Sequence, residues 1–135
     1  MAEARRGYLA TADRMARPHL VPVVFVLLGR RLFIPLDAKP KRVAPLALQR
    51  VRNIQANPRV AFLVDRWEED WGRLGYVLLQ GKASLVQEGE VYRQALLSLE
   101  QKYPQYRSLP LGTPPLIVVE IEHAYPWGTL EEPAT

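Results

Sequence analysis

Hydrophobic and polar positions along the chain predict several strands in quick succession before the first helix. Gly7–Thr11 and Leu32–Leu36 have the length and composition of strands. His19–Leu28 is almost continuously apolar and rich in valine, which is typical of a strand buried on both faces. Gly29–Arg31 is a predicted hairpin turn. Three strands before any helix favour an antiparallel barrel over an open α/β sheet, whose strands alternate with helices throughout.

The rest of the chain mixes two predicted helices with further strands. The first helix, Leu46–Gln55, has an inward stripe of Ala47, Val51 and Ile54, and Pro58 ends it. Three further strands are predicted over Val60–Val64, Gly75–Gln87 and Leu116–Ile121, and Gly81 is a candidate bulge in the second of them. The second helix is predicted over Glu88–Tyr103, and its core-facing residues are Val91, Ala95, Leu96 and Leu99. Five or six strands with hairpin connections predict a small antiparallel barrel.

Composition places the chain among ordinary globular proteins. Its 135 residues are 48% hydrophobic and 24% charged, enough for one domain over residues 1–135. No stretch approaches the roughly 20 apolar residues of a membrane span, and no charged-then-apolar leader opens the chain. Cysteine is absent, which excludes disulfides and thiolate chemistry. We therefore expect a cytoplasmic protein with no membrane partner.

The distribution of positive charge points to an anionic partner. The net charge is +4, which suits a nucleic acid or an anionic small ligand. Lys39, Lys41 and Arg42 lead into the first predicted helix, and a helix N-terminus flanked by cations is a sound anion site. Arg50 and Arg52 lie about 200° apart on that helix, so only one of them is expected at a given phosphate. A solvated basic face explains such a cluster equally well.

Residues with catalytic chemistry of their own are sparse. His19 and His123 are isolated, no serine has a GxSxG context, and no metal-ligand spacing or glycine-rich phosphate motif occurs. No catalytic residue and no metal site is therefore predicted, and an enzyme of this sequence would need a cofactor. Trp67 and Trp71, four residues apart, suit core packing, a dimer interface or stacking on a planar ring.

The order of these cues resembles one known superfamily. The segments "GYLATAD", "RPHLVPVVFVLLGRRLFIPLDAKPKR", "RVRNIQANPRVAFLVD" and "DWGRLGYVLLQGKASLV" are similar, in order and spacing, to the pyridoxamine 5′-phosphate oxidase-like flavin-binding split-barrel proteins. They look closest to the branch of oxidoreductases that depend on coenzyme F-420, a deazaflavin. The resemblance covers Gly7 to about Ile121. It implies a mainly β fold, a six-stranded antiparallel split β-barrel, and a homodimer with coenzyme F-420 or FMN in the groove between subunits.

The resemblance also implies which residues contact the cofactor. Arg50 matches the basic residue that precedes the Asn-Pro turn and contacts the cofactor phosphate, and Arg52 and Asn53 belong to the same element. The other matches are the ring-lining strand (His19, Leu20, Val21, Pro22, Val23, Val24), its neighbour (Ile34, Pro35), a loop suited to the anionic tail of a deazaflavin (Lys39, Lys41, Arg42), and Trp71 or Arg73 from the partner subunit.

Two departures from the oxidase change the expected activity. His19 stands where the oxidase has a phosphate-binding arginine, and the chain ends soon after Trp127, without the segment that helps to hold pyridoxal phosphate. We therefore expect not a true pyridoxamine-phosphate oxidase but an oxidoreductase that transfers hydride between the cofactor and a small organic molecule. One alternative is a non-catalytic cofactor carrier or sensor. Another is a nucleic-acid-binding barrel, which would need aromatic residues among the loop cations, and the loop has none.

Overall fold

The computed structural model describes residues 2–36, 48–108 and 114–129. Within them the elements are β1 Gly7–Ala12, β2 Pro18–Val23, β3 Val26–Leu28, β4 Arg31–Pro35, α1 Gln49–Ala56, β5 Arg59–Arg66, β6 Gly75–Val86, α2 Glu90–Lys102 and β7 Leu116–Gly128. Short 3₁₀ helices cover Trp71–Arg73 and Pro104–Arg107. None of the helices in these ranges is long and apolar enough to cross a membrane.

All seven described strands belong to one antiparallel sheet, in the order β2-β1-β5-β6-β7-β4-β3. Its two edge strands, β2 and β3, are consecutive in the chain and separated only by Val24 and Phe25. A sheet whose edges are so close must curl back on itself, so the fold is a split antiparallel barrel. The mainly β fold class is confirmed, whereas the strand count is seven instead of the predicted six.

The extra strand arises from the valine-rich run His19–Leu28, which the sequence predicts as one strand. Its first half pairs with β1 at one edge of the sheet and its second half pairs with β4 at the other. The predicted burial on both faces is wrong for β2. Leu20 and Pro22 are exposed, whereas His19 and Val21 are half-buried, because an edge strand of this barrel has only one face toward the core.

The interior of the barrel and the surface beneath α2 form two hydrophobic clusters. Inside the barrel, Leu9, Phe25 and Phe62 are at most 2% exposed, and the rings of Phe25 and Phe62 meet edge to face with centroids 5.0 Å apart. The second cluster joins α2 to β3, β4 and β7. The two clusters hold the β2–β3 corner from both sides, because Phe25 belongs to the first and Val26 to the second.

Each helix docks by a narrow apolar stripe. Val51 and Ile54 of α1 are buried as predicted, and Ala47 lies outside the described residues. In α2 the buried side chains are Tyr92, Ala95 and Leu99, with Leu96 half-buried. The predicted burial of Val91 is wrong, since it is 39% exposed. Tyr92 takes the inward position because its spacing of three and seven residues from Ala95 and Leu99 puts all three on one face.

The long pair of strands β6 and β7 forms the back of the barrel. The predicted bulge at Gly81 is confirmed, as the register shifts between Gln80 and Gly81. A side chain at Gly81 would collide with the backbone oxygen of Glu120, so the close approach of the two strands requires glycine there. Pairing on both sides of the bulge extends β7 to Gly128, beyond the predicted end at Ile121.

Candidate cofactor site at the split of the barrel

The two edges of the sheet meet at a small cleft, here named the split cleft, of about 160 Å³. Its lining residues come from four places in the chain and are Arg6, Pro22, Val23, Val24, Pro35 and Arg50. Pro22 and Val23 end β2, whereas Pro35 ends β4, beyond the residues of β4 that pair with the other edge strand, β3. Val24 lies between β2 and β3, outside both ladders. The wall is therefore apolar strand-end backbone and side chain, with two guanidinium groups at its border.

Arg50 is the most unusual member of this lining. It is 8% exposed although it carries a charge, because α1 docks through Val51 and Ile54 and thereby brings the neighbouring position close to the sheet. Buried arginines are rare without partners, and Arg50 does not lack one within the protein. Among the described residues, the lining of the split cleft contains two arginines and no carboxylate, so this part of the lining is positively charged and suits an anion.

The β2–β3 corner beside the cleft is fixed by the end of α2. The Lys102 ammonium donates a 2.9 Å hydrogen bond to the carbonyl oxygen of Phe25 and lies 3.7 Å from the centre of its ring. The Tyr103 hydroxyl accepts a 3.2 Å hydrogen bond from the Phe25 N–H and lies 3.1 Å from the carbonyl oxygens of Arg5 and Phe25, to which it can donate. These contacts hold the backbone immediately after Val24.

Burial shifts the pKa values of Lys102 and Tyr103, the two side chains that hold this corner. The pKa of Lys102 is lowered to about 8, mainly by desolvation and to a smaller extent by the nearby Arg5 charge, while Glu3 opposes the change. Burial likewise raises the pKa of Tyr103, with the Phe25 backbone and Arg5 acting in the other direction. The tyrosine therefore stays protonated at neutral pH, and its hydroxyl remains a donor for the corner.

A larger cavity, here named the turn groove, lies between the β1–β2 turn and α1. It measures about 600 Å³ and is lined by Asp13, Arg14, Met15, Arg17, Gln49, Arg52, Asn53, Gln55 and Ala56. Asn53 is 2% exposed; its Nδ2 donates to Thr11 Oγ1 at 3.0 Å, and its Oδ1 accepts from Gln49 Nε2 at 2.6 Å. This chain of hydrogen bonds joins α1 to β1 and fixes which side of the helix faces each cavity.

The residues that the resemblance assigns to the cofactor are distributed over several regions. Those at the split cleft are Pro22, Val23, Val24, Pro35 and Arg50, whereas Arg52 and Asn53 line the turn groove. Ile34 is fully buried in the core, Leu20 is 68% exposed, Val21 is half-buried, and Trp71 on its 3₁₀ helix is 72% exposed. Lys39, Lys41 and Arg42 lie outside the described residues. The cofactor contacts of all these residues stay predictions.

Two further residues complete the account of the sequence-based site. His19 pairs across the ladder with Thr11, and its Nδ1 is buried without a hydrogen-bond partner in the described part of the chain. Arg6 at the cleft was not predicted, since a single exposed arginine before a strand has no distinguishing pattern. Within residues 2–36, 48–108 and 114–129 no group of histidine and acidic side chains could hold a metal ion.

The convex side of the sheet bears an apolar surface, here named the outer face. Cross-strand register aligns Pro22, Tyr8, Leu63, Leu78 and Tyr125 in one row over five strands. Adjacent rows add Leu20, Ala10, Tyr76 and Trp127, the last two being stacked with ring centroids 5.5 Å apart. Leu20, Tyr125 and Trp127 are each at least 50% exposed. Pro22 belongs to both the outer face and the split cleft, so the two are continuous.

A curled antiparallel sheet with a positively charged cleft between its edges defines a split-barrel protein. The family model described as pyridoxamine 5′-phosphate oxidase matches residues 1–128. The chain therefore belongs to the pyridoxamine 5′-phosphate oxidase family.

Solved structures with this fold come from proteins of different description. A conserved hypothetical protein of Mycobacterium tuberculosis superposes with a TM-score of 0.73 at 20% identity, over 93% of this chain and 78% of the other. HutZ, a heme storage protein of Vibrio cholerae, superposes with a TM-score of 0.71 at 16% identity, over 91% of this chain and 86% of the other. A candidate 5-nitroimidazole antibiotic resistance protein of Bacteroides thetaiotaomicron superposes with a TM-score of 0.70 at 15% identity, over 91% of this chain and 76% of the other. At such identities the likeness shows the shared fold alone. No curated protein matches the sequence significantly.

Proposed function

We propose that this protein is a homodimeric oxidoreductase that binds coenzyme F-420 or FMN at the split cleft and transfers hydride to or from a small organic substrate. The observation that carries the proposal is the position of Arg50. The nearly buried Arg50 lines the same cleft as Pro22, Val24 and Pro35, and no carboxylate lines it within the described part of the chain. That is the chemistry required by the anionic end of a flavin-type cofactor.

The size of the cleft supports a site shared between two subunits. Its 160 Å³ is below the roughly 300–1,000 Å³ of small-molecule sites, so one chain can hold the anionic group and one edge of a ring. The outer face runs into the cleft at Pro22 and exposes Leu20 and Trp127. A second copy packed on this face would bury that apolar surface and add the missing wall.

The residues of the chain have limited tasks in this proposal. When bound, the cofactor supplies the hydride-transfer chemistry. Arg50 and Arg6 hold its anionic end, and Pro22, Val23 and Pro35 form an apolar wall that keeps water from the ring. No side chain of the cleft needs to act as an acid or base, which agrees with a lining of arginine, proline and valine.

Two measurements test this function. The protein is purified from a host that makes both cofactors and its absorbance spectrum is recorded, and then coenzyme F-420 and FMN are titrated separately while tryptophan fluorescence is followed. We expect saturable binding of one cofactor and turnover with an unsaturated or quinone-like acceptor. Tight binding without turnover over a broad acceptor panel supports the carrier or sensor alternative. Failure to bind either cofactor contradicts the proposal.

Heme binding is the second candidate, favoured by the position of His123. This histidine is exposed on β7, and its ring centroid lies 6.2 Å from that of Tyr125 on the outer face. An exposed imidazole beside an aromatic ring can serve as an axial heme ligand. A Soret band in the purified protein that disappears in His123→Ala would favour heme, whereas the flavin-type proposal expects the cofactor spectrum to be unchanged by this substitution.

A further inference from the structure

We propose that the turn groove is a second binding site, separate from the split cleft, for a small polyanion with clustered phosphate or carboxylate groups. Its described lining includes three arginines, Arg14, Arg17 and Arg52, and one carboxylate, Asp13, and these four side chains together carry a net charge of +2. Its volume of about 600 Å³ lies well within the range of small-molecule sites.

The one carboxylate of the groove is already occupied by its own turn. Asp13 Oδ1 accepts hydrogen bonds from the backbone N–H groups of Met15 at 2.8 Å and Arg17 at 3.0 Å, and Oδ2 accepts from Arg17 Nε at 2.7 Å. The Arg17 backbone is the main cause of the lowered pKa of Asp13. Asp13 therefore stays ionised, holds the turn and forms its ion pair with Arg17, so it does not neutralise the other two arginines.

The other two arginines of the lining have no ion pair within the described part of the chain. Arg14 lies on the β1–β2 turn and Arg52 on α1, and neither forms an ion pair with any described residue. An arginine fork binds phosphate or carboxylate oxygens in pairs. A ligand with at least two negative charges can bridge the two walls and relieve the repulsion of the like charges.

Both walls are held in place before a ligand arrives. The turn is closed by backbone hydrogen bonds from Asp13 N to Arg17 O at 3.2 Å and from Ala16 N to Asp13 O at 3.0 Å. On the other side, α1 is joined to β1 through Asn53 and Thr11 at 3.0 Å. Binding therefore requires little ordering of the backbone, which favours a compact ligand that fits the groove as it is.

The chemistry of the lining also separates this site from others. None of the described lining residues is aromatic, so this lining offers no stacking surface of the kind found in single-stranded nucleic-acid sites. Arg50 and Arg52 are on opposite sides of α1 and line different cavities. Occupation of the turn groove is consequently independent of whether the split cleft binds a flavin-type cofactor.

The test uses the full-length protein labelled with ¹⁵N, titrated with pyrophosphate in one series and with citrate in another. We expect saturable shifts of the amide signals of Asp13–Arg17 and Arg52–Ala56, with the stronger series identifying phosphate or carboxylate as the preferred group. Shifts confined to Arg6 and Val23–Val24, or no saturable shifts, would overturn the proposal.

Substitutions of basic residues inside and outside the groove show whether binding is specific to the groove. Arg14→Gln and Arg52→Gln should each weaken binding by roughly tenfold, the scale of one charge-assisted contact. Arg6→Gln at the split cleft and Lys82→Gln on β6 remove the same charge outside the groove and should leave the affinity within about twofold. Equal weakening by all four substitutions would show general attraction to a basic protein and would overturn the proposed site.

Discussion

The Lys102 ammonium lies 3.7 Å from the centre of the Phe25 ring and donates a hydrogen bond to the carbonyl oxygen of the same residue. This contact ties the C-terminal turn of α2 to the corner where the chain passes from one edge of the barrel to the other. The corner directly follows Val24 of the split cleft. Helix α2 thus supports the cleft through its last residue.

The lowered pKa of Lys102 predicts how stability depends on pH. The pKa is about 8 in the folded protein against an ordinary 10.5, so between these values the unfolded chain binds more protons than the folded chain. The contribution of this group to stability therefore rises as pH increases from 8 to 10.5, and its burial cost is greatest below pH 8. Urea unfolding of wild type and Lys102→Met over this range should show a smaller pH slope in the variant. Identical slopes would contradict the assignment.

Replacement of Arg50 should separate cofactor binding from folding. Arg50→Ala removes the buried cation of the split cleft and is expected to weaken cofactor binding by about 1.5–3 kcal/mol, the scale for hydrogen bonds to charged groups. Arg52→Ala is the matched control, since it lies two residues away on the opposite side of α1. Fluorescence titration gives both affinities and thermal unfolding checks the fold. A larger loss of cofactor affinity in Arg52→Ala than in Arg50→Ala would indicate that the cofactor phosphate binds in the turn groove.

Dimerisation through the outer face predicts a clear effect at Leu20. This side chain is 68% exposed in a single chain, and Leu20→Glu would place a charge in the proposed contact between subunits. Sedimentation velocity should show a shift from dimer to monomer, together with weaker cofactor binding. Leu97→Glu on α2 introduces the same charge at a position 59% exposed and away from the outer face, and it should remain dimeric. A Leu20→Glu dimer would exclude this interface.

The bulge at Gly81 predicts a local sensitivity to added volume. Gly81→Ala directs a methyl group into the backbone of Glu120, where only a movement of β7 could relieve the collision. We expect a loss of about 1–3 kcal/mol in the free energy of unfolding, as for other overpacked sites. Gly72→Ala is the control, because its nearest neighbour is the movable Asp70 carboxylate at 3.3 Å. Chemical denaturation compares the two, and equal stabilities would contradict the close approach.

Much of the fold could be predicted because its information is local. The strands β1, β4, β5 and β6 and both helices follow from alternating or continuous apolar runs bounded by turn residues, and Gly81 marks its own bulge. The division of His19–Leu28 was not predicted, since the one interruption of this apolar run, Pro22, lies inside β2 and not at the division. The break at Val24 and Phe25 is imposed by closure of the barrel, a property of the whole sheet.

The site shows the same division between local and global information. Helical geometry was enough to predict that Arg50 and Arg52 do not both reach one phosphate. Which of them faces the split cleft depends on how α1 docks, and that is decided by the hydrogen bond between Asn53 and Thr11, 42 positions apart in the chain. Arg6 joins the cleft for a similar reason. Its place is set by the strand that follows it, and one isolated arginine has no pattern to reveal this.

The closure of the barrel has a mechanical consequence. The order of strands leaves β2 and β4, whose ends line the split cleft, without a ladder between them in the described sheet. Separating these two ends would break side-chain contacts but no row of backbone hydrogen bonds. The seam is therefore held mainly at the corner of Val24 and Phe25, where Lys102 and Tyr103 at the end of α2 hydrogen-bond to the Phe25 backbone, so the mechanical strength of the cleft depends on a helix and not on a row of strand pairing.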